Sequence, residues 1–199
     1  MKFKLTYEGL LFGASTNNTR AAHKHEMRKR FHPQLKRLWE TAPALKDWID
    51  YPNSTYSEKG GIPRRDNLAN HFSKVSGYRF CPLITKGLGV HCDLDIVFLR
   101  TEPPGQIINS GDIDNRLKTI FDALRMPATV AELGGHSPDP GEDPFYCLLE
   151  DDNLVSNLSI QTATLLQPTG DDYDPNDSRL LISVTMQPHT LGIGNMSFL

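Results

Sequence analysis

The chain has few cysteines and no long apolar stretch. Its 199 residues include only 3 cysteines, which are unevenly spaced and form no Cys-x-x-Cys pair. This pattern argues against a disulfide framework or a zinc knuckle and is typical of a reducing compartment. No apolar run approaches the roughly 20 residues needed to span a membrane, and the N-terminus has no signal-peptide core. We therefore expect a soluble, cytoplasmic protein with no membrane partner, in which Cys92 is a buried, inert thiol.

Positive charge is absent from one long segment, although the formal net charge is only -3. Between Glu132 and Asp177 there is no lysine or arginine, whereas eleven residues are acidic. Basic residues are concentrated between Arg20 and Arg37, where the only acidic residue is Glu26. A basic stripe beside an acidic pocket would suit a protein that holds a polyanion at one surface and cuts it at another. The plainer alternative is a solvated basic helix and a solvated acidic loop.

Hydrophobic periodicity predicts a single α+β (α/β) domain over residues 1–199, with a mixed β-sheet and flanking helices. Helical spacing covers about 19–40, where Pro33 predicts a kink or a division into two helices, and a second helix begins near Asp112. The strand-like segments lie near 2–7, 78–84, 90–99, 154–166 and 179–187. We expect the second and third of these to form a hairpin. Insertions interrupt the domain at 41–76 and 128–149.

The densest cluster of reactive groups is the segment Gly111-Asp112-Ile113-Asp114-Asn115-Arg116-Leu117-Lys118, with Asp151-Asp152 following later. Hard cations such as Mg²⁺ take oxygen ligands, usually one or two carboxylates together with water and substrate phosphate. A lysine beside such a site could neutralise charge that develops on a phosphate. The pattern therefore favours a divalent-metal site for phosphodiester chemistry.

Each part of this pattern also has a purely structural interpretation. An aspartate at a helix start can cap the helix, but capping needs only one of Asp112 and Asp114. Lys118 lies four residues from both Asp114 and Asp122, so an ion pair along the helix would also explain it. Asp151 and Asp152 can begin a turn that caps the next strand.

Three further polar groups are weaker candidates. Asp93-Leu94-Asp95 repeats the Asp-x-Asp spacing but lies on the polar side of a strand, where we expect solvent exposure. Residues 171–177 look like a calcium loop, but they lack the glycine and glutamate positions of an EF-hand. Three histidines on the basic helix are expected to face phosphate or solvent, and these are His23, His25 and His32.

The sequence Asp112-Ile113-Asp114-Asn115-x-x-Lys118-x-x-x-Asp122-Ala123-Leu124, followed by Asp151-Asp152-x-x-Val155, resembles the signature of the RusA-type Holliday junction resolvases (crossover junction endodeoxyribonucleases). The resemblance covers about residues 90–165. It implies a homodimeric, Mg²⁺-dependent endonuclease of DNA recombination and repair, for which Mn²⁺ can substitute. Such an enzyme hydrolyses four-way DNA junctions symmetrically at two matched phosphodiester bonds.

Carried over by position, the resemblance makes Asp112, Asp114 and Asp152 the metal-binding and catalytic carboxylates and Lys118 the catalytic lysine. Asp151 could exchange roles with Asp152 as a metal ligand. Basic residues of the first helix would hold DNA backbone phosphates, and these are Arg20, Lys24, Arg28 and Lys29. Two rival interpretations are a non-catalytic DNA-binding protein of the same fold and a structural or regulatory domain that binds metal through its acidic loop.

Overall fold

The computed structural model describes residues 1–13, 20–50, 61–101, 112–167, 174–192 and 195–198. Its strands and helices, in chain order, are β1 (Lys2–Leu10), α1 (Ala21–Thr41), α2 (Pro43–Lys46), β2 (Ile49–Asp50), β3 (Ile62–Pro63), α3 (Arg64–His71), β4 (Phe80–Ile84), β5 (Val90–Arg100), α4 (Asp112–Leu124), β6 (Phe145–Leu149), β7 (Val155–Thr164) and β8 (Asp177–Pro188). Short 3-10 turns cover Val130–Leu133, Asp152–Leu154 and Met196–Phe198.

The main sheet has four strands in the order β1-β8-β5-β7. Strand β8 is antiparallel to both β1 and β5, whereas β5 and β7 are parallel. This mixed sheet confirms the predicted α+β class. Because neighbouring parallel strands need a long crossover connection, the chain places α4 and β6 between β5 and β7.

A second, two-stranded sheet pairs β4 with β6 in parallel. The predicted hairpin between β4 and β5 is therefore wrong. The predicted insertion at 128–149 contains a strand at its end, because β6 begins at Phe145. All five residues of β6 are buried. A strand enclosed on both faces shows no alternation of polar and apolar residues, so the period-two signal was missing there.

Helix α1 packs the apolar side chains Phe31, Leu35 and Trp39 into the main core, where each is at most 2 % exposed. Pro33 lies inside this helix without dividing it, so the expected split into two helices is wrong. A proline within a helix costs about 3 kcal/mol. Burial of the three large neighbours, worth about 1.5–3 kcal/mol each, is enough to offset that cost.

The segment 41–76 contains the short helices that the sequence suggested, namely α2 and α3. Arg64 anchors α3, because its Nη2 lies 2.8 Å from Oδ1 of Asp50 and its guanidinium lies 3.9 Å from the ring centroid of Trp48. Residues 51–60 of this segment and 171–173 of the predicted acidic turn lie outside the described residues. No helix in the described part of the chain combines the length and the apolar character that crossing a membrane requires.

Candidate functional site

Helix α4 begins at Asp112, where the sequence predicted a helix start, and it is strongly amphipathic. Its inner face is almost fully buried, with Ile120 at 0 % and Leu124 at 1 % exposure. Asp114 and Lys118 lie on the opposite face, with side chains that are 67 % and 59 % exposed. The packing of α4 therefore turns two of the predicted catalytic residues towards solvent.

Asp114 and Lys118 form an ion pair on this face, with 2.7 Å between Oδ2 and Nζ. This confirms the alternative of an ion pair along the helix and identifies Asp114 as the partner. Exposed pairs at this spacing contribute only about 0.3–0.5 kcal/mol. A ligand could therefore separate the two groups at little cost.

Asp122 is a structural residue. Its carboxylate accepts a hydrogen bond from Nζ of Lys24 at 2.7 Å and pairs with Nη2 of Arg125 at 3.0 Å. The suggestion that Asp122 pairs with Lys118 is wrong. Asp122 instead fixes the C-terminal half of α4 to α1. The exposed residues Asp114 and Lys118 lie in the N-terminal half of the helix.

Asp151 and Asp152 lie directly before β7. Oδ1 of Asp151 accepts the backbone N–H of Asn153 at 3.0 Å, so Asp151 caps the following 3-10 turn, as the structural alternative predicted. Asp152 is exposed and lines a groove of about 310 Å³ together with Phe121 and Val155.

This groove connects α4 with the start of β7. Phe121 follows Asp114 by seven residues, which is two helical turns, so both side chains lie on the same face of α4. The backbone N–H of Met126 donates to the carbonyl of Leu149 at 2.8 Å, which holds the end of α4 close to the chain that leads into Asp152. Phe121 and Asp152 thus border one open depression, and Asp114 lies two helical turns from Phe121 on the same helix face.

The predicted metal ligands do not form a closed cluster. Among the described side chains, no three histidine, cysteine or acidic residues are close enough together to hold a metal ion. Asp112 begins α4, but its side chain lies outside the described part of the structure. The candidate metal ligands among the described side chains are therefore Asp114 and Asp152. The carboxylate of Asp151 already caps the 3-10 turn through the backbone N–H of Asn153.

The basic residues of α1 are not a free phosphate-binding stripe. Lys24 is 8 % exposed and Arg28 only 1 %, so neither side chain lies open to the DNA phosphates that it was expected to hold. Lys29 pairs with Asp139 at 2.5 Å, and the guanidinium of Arg20 donates to the carbonyl of Gly13. The acidic segment that follows α4 therefore supplies carboxylate partners to Lys29 and Arg28 within the same molecule.

Arg28 shows this most clearly. Its guanidinium donates to the backbone carbonyls of Asp122 at 2.6 Å, Glu132 at 3.0 Å and Arg125 at 3.2 Å. Burial lowers the pKa of Arg28 to about 10, so the group remains charged at neutral pH. Arg28 ties α1 to the end of α4 and cannot contact DNA in this structure.

The histidines of α1 are also internal. His25 is 0 % and His32 6 % exposed, so the expectation that they face phosphate or solvent is wrong. Burial lowers the pKa of His25 to about 3, and it also lowers the pKa of His32 and His23. His25 lies 3.0 Å from the hydroxyl of Tyr78. The rings of His25 and His32 pack against aromatic residues of β6, whereas the half-buried ring of His23 packs against Phe12.

Two weaker predictions are confirmed. Asp95 is exposed and Asp93 accepts a hydrogen bond from Gln187 at 2.9 Å, so this second Asp-x-Asp is a polar strip on the outer face of the sheet. Cys92 is 0 % exposed, and burial raises the pKa of its thiol to about 12.

No protein-family model, curated protein or solved structure matches this chain. The site is therefore assigned from its own residues and geometry. Sequence reasoning did not single out Phe121, although its helical spacing from Asp114 was a usable signal. It also gave no role to Lys86, which lies at the same edge of the sheet as Asp152 and which no local motif marked.

Proposed function

We propose that this chain is a Mg²⁺-dependent endonuclease that hydrolyses branched DNA, with four-way junctions as the preferred substrate. The observation that carries the proposal is the shared groove. Asp114 and Lys118 lie on the same helix face as Phe121, and Phe121 borders the depression that Asp152 also lines. Phe121 and Asp152 thus border one depression although they are far apart in the chain, and this supports a site between the exposed face of α4 and the start of β7.

The chemistry of the donor set suits phosphodiester hydrolysis. Asp114 and Asp152 offer exposed carboxylate oxygens, and Mg²⁺ commonly binds one or two carboxylates while water and substrate phosphate complete its shell. When bound, the metal would supply positive charge and an activated water at the scissile phosphate. Lys118 would place an ammonium beside the same phosphate and neutralise charge that develops during displacement.

Symmetric cutting requires two equivalent sites. A homodimer supplies them, because a two-fold axis relates two identical active sites to the two halves of a four-way junction. We therefore propose a homodimer as the active species.

The decisive test is incubation of a labelled synthetic four-way junction with the wild-type protein, in Mg²⁺ and in EDTA. We expect paired nicks in Mg²⁺ only. Asp114→Asn, Asp152→Asn and Lys118→Ala should each lower the cleavage rate by about 100-fold or more, because the first two remove a metal-binding carboxylate and the third removes the ammonium beside the phosphate. Asp95→Asn is the matched control, because it removes an exposed aspartate from the other Asp-x-Asp, and it should cut at the wild-type rate.

Loss of folding would not explain the expected result. Asp114 and Lys118 share only an exposed ion pair, whose removal changes stability by about 0.3–0.5 kcal/mol. Full cleavage by Asp114→Asn would refute the site.

One observation favours the non-catalytic alternative. Asp114 is paired with Lys118, and among the described residues no three histidine, cysteine or acidic side chains form a group that could hold a metal ion. Junction binding without nicks, in Mg²⁺ and in Mn²⁺, would replace the nuclease with a DNA-binding protein of the same fold.

A further inference from the structure

The groove at Asp152 is the first of three connected depressions. The second, of about 380 Å³, shares Ser156 with the first and is lined by His91, Asn153 and His189. The third, of about 810 Å³, shares Lys86, Gly89 and Thr190 with the second. The shared lining residues place the three depressions next to one another, in a track that starts at Phe121 of α4 and ends at α3.

The topology of the sheet explains this arrangement. β5 and β7 are adjacent and parallel, so the residues that precede them meet at one edge of the sheet. Asp152 precedes β7, and the turn from Lys86 to Gly89 precedes β5. A ligand that reached Asp152 could therefore continue along this edge to Lys86.

Lys86 projects from a firmly held turn. Its backbone N–H donates to Oε2 of Glu150 at 2.8 Å, and the N–H of Leu88 donates to Oγ1 of Thr85 at 3.1 Å. The amide of Asn195 donates to the carbonyl of Leu88 at 2.9 Å. The Lys86 side chain is exposed, and its ammonium has no ion-pair partner in the described part of the chain. The turn thus presents an exposed cation to the track, and the Glu150 carboxylate lines the same depression.

Helix α3 forms the opposite wall of the third depression. It directs one stripe of side chains towards Lys86, namely Arg64, Asn67, Leu68 and His71. The ion pair of Arg64 with Asp50 fixes the helix. Asn67 and His71 are exposed and can donate or accept hydrogen bonds. The half-buried Phe72, which follows His71, adds an aromatic surface to the same wall.

We propose that this track binds an unpaired strand of nucleic acid, with a backbone phosphate at Lys86 and bases against the wall of α3. Proteins that bind single strands combine cations that follow the backbone with apolar and aromatic surfaces for the bases. The track has an exposed cation in Lys86 and an aromatic surface in Phe72, and a row of three adjacent depressions suits a chain rather than a compact ligand. That the bound strand is the one cut at Asp152 rests on the proposed nuclease function, whereas the binding itself does not.

The first test measures the affinity of a fluorescein-labelled thymidine strand of about 20 nucleotides, which exceeds the roughly 4–16 nucleotides that one compact domain covers. Binding is followed by fluorescence anisotropy in EDTA over a range of salt concentrations. Lys86→Ala should weaken binding about threefold to tenfold and reduce the slope of log K against log salt by about 0.7, the value for one phosphate contact on a single strand. Lys86→Glu should weaken it further.

Lys74→Ala is the matched control, since Lys74 is an exposed lysine that lines none of the three depressions. It should leave both the affinity and the salt slope unchanged. Equal losses for Lys74→Ala and Lys86→Ala would mean that only net charge matters, and the track would be refuted.

The second test locates the strand. All three native cysteines are buried, so Lys86→Cys introduces an accessible thiol at the track. A strand that carries a disulfide-activated tether on one phosphate should cross-link to Lys86→Cys and not to Lys74→Cys. No cross-link at position 86, or equal cross-linking at both positions, would overturn the proposal.

The outcomes separate this inference from the nuclease proposal. If the wild type cuts junctions but Lys86→Ala retains full affinity and slope, the track is wrong and the nuclease stands. If the wild type binds the strand without cutting junctions and Lys86→Ala weakens binding, the nuclease is wrong and the track stands.

Discussion

Replacement of Arg28 by alanine tests whether the basic helix α1 serves structure or DNA binding. Arg28 is 1 % exposed, and its guanidinium donates to three backbone carbonyls at 2.6–3.2 Å. A hydrogen bond from a charged group contributes about 1.5–3 kcal/mol, but the three share one side chain and do not add fully. The alanine variant leaves three carbonyls without this donor and opens a cavity, so we expect a loss of about 3–5 kcal/mol in the free energy of unfolding.

The loss is large enough to measure by circular dichroism during thermal unfolding. For a chain of this size, 1 kcal/mol shifts the Tm by about 2–4 °C, so the expected decrease is roughly 6–20 °C. Arg37→Ala is the control, because Arg37 is an exposed arginine of the same helix, and its Tm should change by no more than about 2 °C. If Arg28→Ala kept its Tm but lost DNA affinity, the structural role would be wrong and the phosphate-binding prediction correct.

Two further predictions concern the packing around α1. Gly134 has φ +59°, and an added Cβ would lie 2.1 Å from the amide nitrogen of Ala22; Gly134→Ala should therefore destabilise the protein by about 2–4 kcal/mol. In Gly135→Ala the added Cβ meets open space, so the free energy of unfolding measured by urea titration should fall by only about 1–2 kcal/mol. Equal losses in the two variants would contradict the clash at Gly134. Burial lowers the pKa of His25 to about 3 and also lowers that of His32. As pH falls below about 6.5, the unfolded chain therefore takes up protons that the folded chain does not. The free energy of unfolding should then decrease by up to about 1.4 kcal/mol per pH unit for each histidine. Urea unfolding from pH 7.5 to 4.5 measures this slope; His25→Phe should flatten it, and constant stability across that range would refute the buried neutral state.

The sequence predicted the elements that have one buried face. The alternating apolar residues of β5 and β8 and the helical spacing in α4 identified those elements close to their observed bounds. It did not predict β6, whose residues are buried on both faces, or the parallel pairing of β4 with β6. Such pairing joins segments about sixty residues apart, and no local pattern encodes it.

The same distinction holds for the candidate site. Asp114, Lys118 and Asp152 were identified because their chemistry and spacing are visible in the sequence. The burial of Lys24 and Arg28 was not, because their partners lie about a hundred residues away. A basic residue on a helix looks the same in sequence whether it faces solvent or a buried carbonyl, so only the tertiary structure distinguishes the two.

The buried residues of α1 nevertheless bear on the proposed activity, because they determine the position of α4. Lys24 contacts the Asp122 carboxylate at 2.7 Å, and Arg28 donates to the Asp122 carbonyl at 2.6 Å. Both contacts lie one residue after Phe121, the side chain through which α4 meets the groove at Asp152. A shift of α4 would move Asp114 and Lys118 relative to Asp152, and displacements of about 1 Å can lower turnover by about 100-fold. In a preparation of Arg28→Ala that remains folded, reduced cleavage with an unchanged salt dependence of DNA binding would therefore reflect misplaced catalytic groups and not a lost phosphate contact.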